Sequence, residues 1–154
     1  MKTLILYYSR TNITKKVCEE AAKKLKCDIE EITDPKKRDG ALGFIKCGRE
    51  STLKVCPSID DIESNIEKYD MIIFGTPNWA GTFASPIRTF LTENKAKIKN
   101  YSILITHGGG SNEKAFVQSE EILGKKAKFF VEIKAKEVKN GEYAEKLGKF
   151  LKNF

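Results

Sequence analysis

The stretch Leu4-Ile5-Leu6-Tyr7-Tyr8-Ser9-Arg10-Thr11-Asn12-Ile13-Thr14-Lys15 decides the fold. Leu4 to Tyr7 is an apolar run of the kind found in a buried strand. Ile13, Val17, Ala21 and Leu25 then recur at helical spacing. Ser9, Thr11, Asn12 and Thr14 therefore sit where a strand hands over to a helix. The first amide N–H groups of a helix have no internal partner and carry positive dipole character. Short hydroxyl side chains around them complete a cradle for a phosphate. Ser and Thr are also ordinary helix caps, and the loop alone does not separate the two uses.

Strand and helix alternate outward from this point to the end of the chain. The pattern predicts strands over 2–8, 28–33, 71–74, 102–106 and 129–133. It predicts helices over 12–25, 60–67 (capped by Ser58 or Asp60), 85–93, 112–124 and about 140–153, the last burying Tyr143, Leu147, Phe150 and Leu151. Five strands alternating with helices imply an α/β fold: one open parallel sheet with helices on both faces. Residues 1–154 are expected to form a single domain. The one irregular stretch is Asp34 to Pro57, with Pro35, Gly40, Gly43 and Gly48. It is long for a plain connection, and a helix around Leu42, Phe44 and Ile45 is the alternative.

Composition removes several classes of function. Hydrophobic residues make up 40% and charged residues 32%, the balance of a globular chain. No apolar run approaches the ~20 residues that span a bilayer. The N-terminal apolar stretch is too short for a signal peptide, so a cytoplasmic location is expected. Cys18, Cys27, Cys47 and Cys56 form no C-x-x-C pair, and His107 is the only histidine. Neither a zinc site nor a thioredoxin-type dithiol is supported, and no metal is expected. Cys47 and Cys56 fall in the irregular stretch and are the expected reactive thiols. The net charge of +7 comes from 28 Lys and Arg against 21 Asp and Glu. It favours acidic partners, but the lysines are spread over nearly every predicted helix and no nucleic-acid motif is present.

In an open α/β sheet, ligands bind beyond the carboxyl ends of the strands. Three loops reach that edge: Ser9–Thr14, Gly75-Thr76-Pro77-Asn78-Trp79-Ala80-Gly81-Thr82, and Thr106-His107-Gly108-Gly109-Gly110-Ser111. A hydroxyl-rich turn, the single Trp and a glycine-rich turn together suit a ligand with a phosphate at one end and a planar ring at the other. Trp79 as a plug packed on the helix that begins near Pro86 is the competing reading. There is no G-x-x-x-x-G-K-[ST] and no G-x-G-x-x-G after the first strand, so P-loop and Rossmann-type nucleotide sites are unsupported. Tyr8-Ser9 and Gly75-Thr76 stand where a phospho-acceptor receiver domain needs acids.

Gly75-Thr76-Pro77-Asn78-Trp79-Ala80-Gly81-Thr82 followed by Pro86-Ile87-Arg88-Thr89-Phe90-Leu91 resembles the motif of short-chain flavodoxin-like FMN proteins. Ser9, Thr11 and Thr14 match that family's phosphate loop. Asn12 replaces its Gly and Ile13 its Asn; Asn tolerates a left-handed backbone, so the turn survives. The segment Asp39-Gly40-Ala41-Leu42-Gly43-Phe44 is similar to an insert of the family. The resemblance implies a flavodoxin-like three-layer sandwich with strand order 2-1-3-4-5 and FMN as cofactor. It implies that Ser9, Arg10, Thr11, Asn12, Ile13 and Thr14 surround the phosphate. Pro77, Asn78, Trp79, Ala80 and Gly81 would wrap the ring, and Thr106, His107, Gly108 and Gly109 its other edge.

Two functions follow, with no catalytic side chain required by either. One is an electron carrier between redox proteins, whose partners would be acidic. The other is an NAD(P)H-dependent flavin or quinone reductase, as a monomer or homodimer. A non-flavin module that keeps only the fold is the third. The charge of +7 should also ease formation of the anionic reduced flavin. The second reduction potential is then expected to be less negative than in an acidic carrier of the same fold, and spectroelectrochemistry reads it directly.

Overall fold

Leu4, Ile5 and Leu6 of strand β1 (Thr3–Tyr7) are wholly buried, as expected of a strand covered on both faces. They anchor a computed structural model that describes residues 1–35, 38 and 40–154. The remaining elements are α1 (Ile13–Leu25), β2 (Asp28–Glu31), α2 (Gly40–Thr52), β3 (Met71–Trp79), β4 (Thr82–Phe83), α3 (Ser85–Asn94), β5 (Tyr101–His107), α4 (Glu113–Leu123), β6 (Phe130–Lys134), α5 (Ala135–Asn140) and α6 (Ala144–Leu151). Five strands run parallel in the order β2-β1-β3-β5-β6, and β4 pairs antiparallel with the end of β3. Leaving β4 aside, this is the expected order 2-1-3-4-5.

Alternate residues of the strands feed two cores. Leu4, Leu6, Ile72, Phe74, Ile103 and Ile105 meet Ile87, Phe90 and Leu91 of α3 and Ala115 and Leu123 of α4. Ile5, Tyr7, Ile73, Leu104 and Ile133 meet Val17, Cys18 and Ala21 of α1 and Leu147, Phe150 and Leu151 of α6. The sheet is thus the middle of three layers. Gly75 lets α1 approach it: a Cβ there would lie 2.2 Å from Cys18 Sγ and 2.8 Å from Tyr7 Cβ. Gly75→Ala is expected to cost about 1–3 kcal/mol through overpacking, read as a lower urea midpoint at unchanged m-value.

Four expectations need correction. Residues 60–67 form no α-helix; only a 3-10 turn, Ile66–Lys68, is present. Tertiary bonds replace the helical ones: the Asp60 amide donates to Thr33 O, and the Glu63 and Ser64 amides donate to the Glu30 carboxylate at 2.6 and 2.9 Å. The helix expected over about 140–153 is confined to α6, and a separate short helix, α5, precedes it and ends at Gly141 with φ 76°. The β3 strand runs beyond Phe74 to Trp79, because β5 pairs with it as far as Pro77 and β4 folds back on Asn78 and Trp79. Within 34–57 the chain forms α2, the helix around Leu42, Phe44 and Ile45 given as the alternative, and these three side chains face outward. Asp39, which belongs to the insert motif, lies outside the described residues. Cys47 is buried, and burial raises its thiol pKa; only Cys56 of the expected reactive pair is exposed.

Candidate functional site

The carboxyl ends of β1, β3 and β5 bring the three loops to one edge. Arg10, Thr11, Ile13, Thr14, Pro77, Asn78, Trp79, Thr106, His107 and Gly108 line one cavity of about 120 Å3 there. Ala80, Gly81 and Gly109 line an adjoining cleft of about 1050 Å3, together with Lys54, Lys114, Val117 and Gln118. Phe44, Asn78 and Gly108 belong to both.

In the first loop Asn12 adopts the left-handed conformation, φ 62°, directly before α1. Its side chain caps nothing, and the first turn of α1 contains no acid. Ser9 is the residue that caps: its Oγ accepts from the Lys15 amide at 3.2 Å. Among the described residues the amides of Thr11, Asn12, Ile13 and Thr14 meet no acceptor. Thr14 is buried and its hydroxyl shares a 2.8 Å hydrogen bond with the hydroxyl of Thr106. That bond fixes the first loop to the end of β5.

The second loop is a hairpin. Ala80 and Gly81 both have positive φ, 52° and 85°, as the two central residues of a tight hairpin turn require. Asn78 holds this turn to the third loop. Its Oδ1 accepts from the Gly81 amide at 2.9 Å, and its Nδ2 donates to Ser111 O at 3.1 Å and to Asn112 Oδ1. Farther in, Thr76 Oγ1 accepts from the Ala84 amide, and Gln118 Oε1 accepts from Thr82 Oγ1 and from Arg88.

Trp79 is only 5% exposed. Its ring meets Tyr8 edge-to-face, centroids 5.4 Å apart, and the Arg38 guanidinium lies 5.3 Å over it. Arg38 is itself buried: Nε donates to Asp34 at 2.9 Å and one terminal nitrogen donates to Glu50 at 2.7 Å. Ser85 Oγ donates to the same Glu50 oxygen. Burial opposes the Arg38 charge, but the bonds to Glu50 and Asp34 outweigh it and hold the guanidinium protonated. Burial, with the Asp34 carboxylate second, pushes the Tyr8 phenol above its ordinary range. Arg10 joins the first loop to this cluster, donating to Arg38 O at 3.2 Å and lying 5.6 Å over Phe44.

Tyr8, Arg38, Glu50 and Phe44 were not among the residues expected from sequence. Tyr8 stood beside the loop and was legible as an aromatic at a strand end. The other three lie in the segment whose path the sequence left open.

A model of NADPH-dependent FMN reductases matches residues 1–119. The chain belongs to that family. Its cofactor is FMN. A flavoprotein of Lactobacillus acidophilus NCFM, solved in complex with FMN, is 28% identical to it. The alignment covers 90% of this chain and 97% of that one, with a TM-score of 0.73. A flavodoxin of Streptococcus pneumoniae TIGR4 shares the fold at 18% identity and a TM-score of 0.58, over 99% of this chain and 96% of that one. No curated protein matches the chain at the sequence level.

The donor set at this family member's sheet edge fits a phosphorylated flat ligand. His107 Nδ1 is buried without a partner among the described residues, in the cavity wall. A buried polar atom left unpaired costs about 1–3 kcal/mol, and a ligand donor or acceptor at that wall would satisfy it. No helix among the described residues is long and apolar enough to cross a membrane.

Proposed function

We propose that this protein is an FMN-dependent oxidoreductase that accepts a hydride from NAD(P)H at the sheet edge. Bound FMN supplies two-electron uptake from a hydride donor and release of those electrons to an acceptor. The free amides of Thr11 to Thr14 hold its phosphate, with Ser9 ordering their turn and Arg10 adding positive charge. The Pro77–Gly81 hairpin, which includes Trp79, and Thr106–Gly109 would flank the ring, and His107 Nδ1 would be open to a hydrogen bond with the ligand. Asn78 keeps these two turns at a fixed separation.

The observation that carries the reductase reading is the match of residues 1–119 to a model of NADPH-dependent FMN reductases. The cleft of about 1050 Å3 is lined by Ala80, Gly81 and Gly109 of the ring-binding turns, so the flavin takes part of it, and its open remainder is the place for a nicotinamide beside the ring. Its cations Lys54 and Lys114 stand among Glu113 and Glu121, and Phe44 and Val117 supply apolar wall. Carrier activity between redox proteins is the second reading, favoured by the outward apolar face of α2. A single domain over residues 1–154 and a cytoplasmic location fit both.

Anaerobic mixing of the FMN-loaded protein with NADH or NADPH tests the choice. Rapid loss of the yellow flavin absorbance supports the reductase; flavin that stays oxidised with both nucleotides removes it. The phosphate assignment has its own test. Hydrogen bonds to a charged group contribute about 1.5–3 kcal/mol each, so riboflavin should bind at least about tenfold more weakly than FMN. Equal affinities in a fluorescence titration would displace the phosphate from the Ser9–Thr14 loop.

A further inference from the structure

Helix α2 is built inside out. Gly43, Cys47, Glu50 and Ser51 face the protein, whereas Leu42, Ile45 and Leu53 just beyond its end are 84%, 65% and 61% exposed. The inward face is polar because Glu50 serves buried Arg38 and Ser85. Gly43 is required there, since a Cβ would lie 2.2 Å from Arg38 O. Leu42, Ile45, Arg49 and Leu53 follow one another at spacings of three and four, so they form a single outward stripe. Phe44, 64% exposed, extends it to the rim of both cavities. Contiguous exposed apolar side chains of this kind mark an interaction surface.

Charge selects the occupant. Every exposed charge on α2 is a cation, Lys46 and Arg49; its one acid, Glu50, is buried. In a symmetric contact between two copies each patch meets itself, which would set these cations against one another. We propose that the outward face of α2 docks an acidic redox protein that takes electrons from the flavin. This rests on the reading of the chain as a flavin oxidoreductase. In the transfer, one electron leaves the reduced flavin and a one-electron acceptor such as a ferric haem becomes ferrous.

Succinylated cytochrome c and native cytochrome c present the same haem with acidic and basic surfaces, and serve as probes. Calorimetric titration of the FMN-loaded, fully oxidised protein reads docking without turnover. The succinylated form should bind at least about tenfold more tightly at low salt, with the advantage shrinking as salt screens it. K46E/R49E should reverse the preference. L42S/I45S should weaken the succinylated complex about fivefold or more while FMN affinity and circular dichroism stay unchanged. After photoreduction, the haem-reduction rate should follow the same order. Preference for the native form, or wild-type binding by both double variants, overturns the proposal. So does a dimer in sedimentation equilibrium that L42S/I45S dissociates, because it gives the face to a second copy. Neither docking nor photoreduction uses a pyridine nucleotide, so failure with NAD(P)H would remove the reductase reading and leave this one standing.

Discussion

Arg38→Met should lower the unfolding free energy by about 3–5 kcal/mol, the range for removing one partner of a buried ion pair. The Arg38 side chain is 2% exposed and the carboxylates of Asp34 and Glu50 are 1% and 9% exposed. With the guanidinium gone, two buried carboxylates lose the hydrogen bonds it donates. Surface ion pairs give no such effect: Lys149 with Glu145, both largely exposed, should contribute little against solvent screening. Urea unfolding of the two variants, R38M and E145Q, compares these directly. A loss below about 1 kcal/mol for R38M would mean that the cluster is hydrated in solution. Because Arg38 also lies over the indole, R38M should change Trp79 fluorescence in the native state, which E145Q should not.

The second large effect is expected at Trp79, and the magnitudes separate its two roles. Truncating a buried aromatic costs about 3–5 kcal/mol, and Trp79 packs edge-to-face on Tyr8 within the core that includes Phe83 and Ala84. Its contact with a flavin is smaller, because little of the ring is left uncovered and Arg38 lies over it. Aromatic stacking adds about 0.5–1.5 kcal/mol beyond area burial. Trp79→Ala should therefore lose more stability than FMN affinity, with unfolding followed by circular dichroism and binding by quenching of free-flavin fluorescence. Trp79→Phe should recover much of the stability, since it keeps an aromatic edge against Tyr8. Unchanged FMN affinity in both variants would make Trp79 a packing residue alone. A larger loss in affinity than in stability would place the ring against the flavin more fully than its burial allows.

The two variants probe one assembly. Arg38 links the Trp79 indole to α2 through Glu50, and Arg10 links the first loop to Arg38 and Phe44. The sheet edge, the hairpin and α2 are therefore joined by the Arg38 and Arg10 side chains as well as by the core that Cys47 shares with Tyr8 and Trp79.

Residue type and spacing were enough to determine the parallel sheet and the convergence of three turns at one edge, and the resemblance of the Gly75–Leu91 motif to flavodoxin-like proteins implied the strand order. Apolar runs such as Leu4–Tyr7 and Met71–Phe74, alternating with helical periodicity, point to strands covered on both faces of a parallel sheet. The loops followed, because they lie at the carboxyl ends of those strands. Tertiary contacts alone decided what happens where local signals compete. Ile59, Ile62 and Ile66 have helical spacing, yet Glu30 and Thr33 draw the backbone of 60–64 into side-chain and strand-end hydrogen bonds instead. A helix around Leu42, Phe44 and Ile45 was legible as an alternative, but which way it faces was not: buried Arg38 and Glu50 occupy its inward side and these side chains lie outward. An ion pair between residues twelve apart, buried under a helix, has no signature in spacing or composition; it exists only once the chain has closed around it.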